Sequence, residues 1–92
     1  MSKHPVLIEW VDSYGCSPRW ESVSDSQPSL LVCKSIGWIT HRSKKCVVVV
    51  PHLTAPERDG FKQQGCGDMT IPAAAIVRIT PLEPIKKRKK RN

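Results

Sequence analysis

Val6, Ile8 and Trp10 recur at every second position near the start of the chain, which places them on one face of an extended strand. Two further runs, Ile36-Gly37-Trp38-Ile39-Thr40 and Val47-Val48-Val49-Val50, are β-branched and aromatic, a composition that favours strands. Both lie in the longest stretch without proline, residues 29–50. Elsewhere, prolines at 5, 18, 28, 51, 56, 72, 81 and 84 interrupt the chain, and proline breaks helix interiors and central strands alike. The next proline-free stretch, 57–71, has glycines at 60, 65 and 67 and no helical period. Long helices are excluded.

The pattern predicts five extended segments, at 5–12, 31–41, 45–52, 68–71 and 75–80. Arg42-Ser43-Lys44 is a short polar link between two of them and predicts a hairpin. Gly37, inside the second segment, predicts a bulge or a sharp bend that lets a small sheet curl on itself. Pro72-Ala73-Ala74-Ala75 suits a single helical turn, with proline at its first position.

Five short strands, a long first loop, a tight central hairpin and one helical turn before a short last strand resemble the Src-homology-3-like small β-barrel. The stretch from Thr70 to Ile79 carries most of that resemblance, which spans about residues 5–82. It is one of pattern, because the first loop lacks the acidic and tyrosine motifs of the peptide-binding members. Sm-like and oligonucleotide-binding barrels share much of the same strand grammar. The expected fold is therefore all-β, a five-stranded barrel with long loops, closed because an open sheet exposes its edges.

Ile8-Glu9-Trp10-Val11-Asp12-Ser13, Ser35-Ile36-Gly37-Trp38-Ile39 and Gly67-Asp68-Met69-Thr70-Ile71-Pro72 also resemble segments of small proteins encoded by tailed bacteriophages and prophages. That resemblance implies an accessory role in the cytoplasm of a bacterial host. It carries over no functional residue.

Charge divides the chain. Of the fifteen Lys and Arg residues, six form Lys86-Lys87-Arg88-Lys89-Lys90-Arg91, which leaves nine against eight Asp and Glu in residues 1–85. The body is nearly neutral and the basicity is terminal. Adjacent like charges repel and offer no apolar face, so the expectation is a domain at 1–85 and a disordered basic tail at 86–92. Such a tail can track a phosphate backbone, which makes nucleic acid a possible partner there, and the same charges could bind an acidic lipid or protein or act as a nuclear import signal. No apolar anchor accompanies it, and no stretch reaches the roughly 18 apolar residues of a membrane span, so no membrane partner is expected.

The 92 residues are 39% hydrophobic, with five aromatics, so one core supplies only about 3–5 kcal/mol and leaves no room for a large catalytic cavity. A core that small also leaves a homodimer open. Cys16, Cys33, Cys46 and Cys66 form no C-x-x-C pair, the spacing that presents two thiolates to zinc from one turn. Free thiols are expected, with Cys33 and Cys46 as small core residues and Cys16 and Cys66 in loops. His52 and Cys66 could meet across the intervening loop as base and nucleophile, but no nucleophile motif or phosphate loop occurs. Catalytic residues, metal ligands and cofactors are therefore not expected.

Two long loops remain. Trp10 and Trp38 fall in strands, and one of them is expected to fill the barrel centre. Trp20 sits among serines in the first loop, either folded back as a lid or exposed as an anchor for a partner. Arg58, Phe61 and Lys62 make the loop at 53–67 a second contact surface. The sequence thus predicts a non-catalytic accessory binding protein. The alternative is a phage-encoded inhibitor that sequesters a host defence protein or a signalling molecule.

Overall fold

The computed structural model describes residues 1–85; the basic stretch from Lys86 to Arg91 lies outside the described residues. Five strands form one antiparallel sheet: β1 (Val6–Asp12), β2 (Leu31–Arg42), β3 (Cys46–Val50), β6 (Met69–Pro72) and β7 (Ile76–Pro81), in the order β6-β3-β2-β1-β7. Two short strands, β4 (His52–Leu53) and β5 (Gly65–Cys66), pair with each other apart from it. The helical turn before the last strand is a 3-10 turn at Ala73–Ala75, with Pro72 as its N-cap and not at its first position. A second 3-10 turn, Val23–Asp25, lies in the first loop.

Strand β2 organises the sheet. Its first half, from Leu31 to Gly37, pairs with β1, and its second half, from Trp38 onward, pairs with β3. Gly37 stands at the handover. A Cβ there would lie 2.6 Å from the Val50 carbonyl oxygen, so only glycine lets the backbones cross this closely. β2 runs unbroken through Gly37, and the register shift expected there lies further on, between Ile39 and His41. The link expected at 42–44 is a hairpin closed by Ser43 N–H donating to the Cys46 carbonyl at 2.9 Å.

The two halves fold over one another and bury Val6 and Ile8 from β1 against Ile39, Val47, Val49 and Ile71. The core is β-branched and small. Neither tryptophan fills its centre: Trp10 packs at its margin and donates from Nε1 to Ser35 Oγ at 3.0 Å, and Trp38 points the other way from buried Ile39. Cys33 and Cys46 are half-buried at its border, and all four cysteines are free thiols.

The sheet is not a closed barrel. Among the described residues, no ladder joins β6 to β7, and each is an edge. A proline sits on each open edge. Leu82 N–H donates to the Pro5 carbonyl, so by the alternation of an antiparallel ladder the preceding residue, Pro81, turns its nitrogen away from β1. Ala73 N–H donates to the Lys45 carbonyl, and Pro72 likewise turns its nitrogen away from β3. Each open edge thus has a proline where a closing hydrogen bond would need a donor. The edges are blunted instead of joined.

Candidate functional site

The segment expected as a loop at 53–67 is a hairpin. His52 pairs with Cys66 and Leu53 with Gly65; Thr54 N–H then donates to the Gln64 carbonyl at 2.8 Å. Gln64 N–H donates to Thr54 Oγ1 at 2.7 Å, and Gln63 Nε2 to the Thr54 carbonyl at 2.9 Å. At the tip, Arg58 and Phe61 form a bridge around Asp59 (φ 53°) and Gly60 (φ 81°). Positive φ at both central residues is the turn whose twist matches paired strands, and Asp-Gly is its preferred sequence.

The hairpin is anchored at its base. Gly65 lies so near the Val50 side chain that a Cβ would meet it at 2.9 Å, and Val50 is buried beneath. The tip is free of the core. Phe61 is 80% exposed, and Arg58 and Asp59 form an exposed ion pair at 3.6 Å, a contact worth about 0–1 kcal/mol. Arg58, Phe61 and Lys62 line an open hollow of about 500 Å³ with Thr54, Pro56 and Gln64. Three of the four expected partner-binding residues are therefore brought together.

Trp20 stands apart, since it does not line that hollow. It is fully exposed, with a fractional exposure of 104%, so it is no lid. Among the described residues, the loop at 13–30 makes only local hydrogen bonds. Ser13 N–H donates to Asp12 Oδ1 at 2.8 Å, Ser17 Oγ donates to the Arg19 carbonyl at 2.8 Å, and Ser17 also bonds the Glu21 carboxylate. Tyr14, Val23 and Leu30 are exposed in the same loop as Trp20, and sequence reasoning passed over these three. Their signal was available: large apolar residues in a polar loop with no periodic partner.

His52 and Cys66 are direct ladder partners with exposed side chains. Among the described residues, neither side chain makes a hydrogen bond that would orient a base toward a nucleophile, and no three of the His, Cys, Asp and Glu side chains converge on a point. Among the described residues, no helix is long and apolar enough to cross a membrane.

No protein-family model, curated protein or solved structure matches the chain. The residues themselves carry the functional reading.

Proposed function

We propose that the protein is a non-catalytic binding module, in which the sheet displays two contact elements and the basic C-terminal stretch adds affinity for nucleic acid. The exposure of Trp20 and Phe61 carries this reading. Large aromatic side chains left in water cost free energy in a chain with so small a core, and Trp, Tyr and Arg are the residues that anchor partner proteins. The Asp59-Gly60 turn supports it by holding Arg58, Phe61 and Lys62 together at one tip.

The strand order and the 3-10 turn before β7 support relating the sheet to Src-homology-3-like barrels, opened between β6 and β7. The segments resembling tailed-phage and prophage proteins support an accessory role in a bacterial host cytoplasm. A second reading, a phage-encoded inhibitor that sequesters a host defence protein, is favoured by one observation. One loop exposes four large apolar side chains, Tyr14, Trp20, Val23 and Leu30, a composition that suits a protein partner better than a phosphate backbone.

Titrating a labelled single-stranded oligonucleotide against the full chain over a range of salt tests the nucleic-acid part. Neutralising six phosphates predicts a slope of log affinity against log salt of roughly −4, lost on deletion of residues 86–92. Salt-independent binding, or none, rejects that part and leaves the inhibitor reading.

A further inference from the structure

The outward face of β1 and β2 is built in three rows. The register sets Leu7 opposite Ile36, Glu9 opposite Lys34 and Val11 opposite Val32. Val6 and Ile8 point into the core, so the strand alternation turns Leu7, Glu9 and Val11, with their partners, to the other side. Ile36 is 60% exposed, Val32 is 59% exposed, and Lys34 is exposed between them. Glu9 is flanked on its β7 side by Arg78, whose Nη2 donates to its Oε1 at 3.1 Å. An apolar row, a charged row and a second apolar row thus follow one another along the strands.

We propose that this face docks on the same face of a second copy of the chain, about a two-fold axis parallel to the strands and lying between β1 and β2. Charge selects that axis. A two-fold axis perpendicular to the strands through the middle row would set Glu9 on the partner's Glu9 and Lys34 on the partner's Lys34, which is repulsive. The parallel axis instead lays β1 of each copy over β2 of the other. Glu9 then meets the partner's Lys34, Leu7 meets the partner's Ile36, and Val11 meets the partner's Val32. Every row is complementary to its own image, as an isologous interface requires. Face-to-face sheets pack about 10 Å apart, a spacing that these aliphatic side chains fill. The same operation brings the ends of both β7 strands to one side of the dimer.

Sedimentation velocity on the full chain between about 1 and 100 µM tests the proposal. The expected result is a concentration-dependent monomer–dimer equilibrium. Ile36→Lys or Val32→Lys should weaken it about tenfold or more, because each buries an ammonium in an apolar row. Both changes are at exposed positions, so thermal unfolding measured at a concentration where the unmodified chain is monomeric should not move. Val23→Lys, on the first loop, should leave the dimer unchanged. A second measurement does not depend on those variants. Mixing isotope-labelled and unlabelled protein and applying a zero-length carbodiimide should yield mixed-label cross-links between Glu9 and Lys34. A monomer at every concentration, a dimer indifferent to Ile36→Lys, or Glu9–Lys34 cross-links confined to single copies would overturn the proposal. So would self-association lost on Val23→Lys alone, because it would move the contact to the loop.

Discussion

Gly37 and the Val50 carbonyl oxygen approach so closely that a Cβ on the glycine would lie 2.6 Å from that oxygen. The contact locks the point where β2 leaves β1 and takes up β3. Gly37→Ala should therefore cost about 1–3 kcal/mol, read as a lower midpoint in urea unfolding. An unchanged midpoint would mean that the backbones separate freely there.

Ile8 is fully buried among Val6, Ile39, Val47, Val49 and Ile71. Ile8→Ala should cost about 2–5 kcal/mol, comparable to all the stability that so small a core supplies. A collapsed, poorly dispersed amide NMR spectrum at room temperature is expected. A native spectrum with an unshifted unfolding midpoint would contradict this picture of the core.

Pro72 and Pro81 each remove an outward donor from an edge strand. Replacing both with threonine restores two donors on β-favouring residues and should promote edge-to-edge association. Light scattering and thioflavin fluorescence should rise faster than for the unmodified chain on incubation. Equal rates would show that the prolines do not guard the edges.

Much of the sheet could be read directly from the chain. The β-branched runs around Ile39 and Val47 mark β2 and β3, and the alternation of Val6, Ile8 and Trp10 marks the buried face of β1. Closure was not legible, because it depends on whether the β6 and β7 edges meet, which follows from how the paired strands are placed and not from composition. The β4–β5 hairpin was legible and was missed. Asp59-Gly60 is a strong turn signal, but Gly65 and Gly67 nearby made the stretch read as an irregular loop. Trp38 misled for a different reason. An aromatic in a strand suggests a core, yet Ile39 beside it takes the inward position.

Trp20 is exposed, whereas Trp10 and Trp38 are half-buried, so fluorescence separates them. Trp20→Phe should remove the red-shifted, readily quenched part of the emission and leave stability within about 0.5 kcal/mol. Emission that keeps its acrylamide quenching after that change would place Trp20 against the sheet.

Capture from a bacterial lysate tests the binding account most directly, with four baits: the full chain, residues 1–85, Trp20→Ala and Phe61→Ala. Each is run with and without nuclease. The account predicts that a protein partner survives nuclease treatment on the first two baits and is lost or sharply reduced on the two aromatic variants. Identical capture by all four baits, or capture that nuclease abolishes entirely, would contradict it.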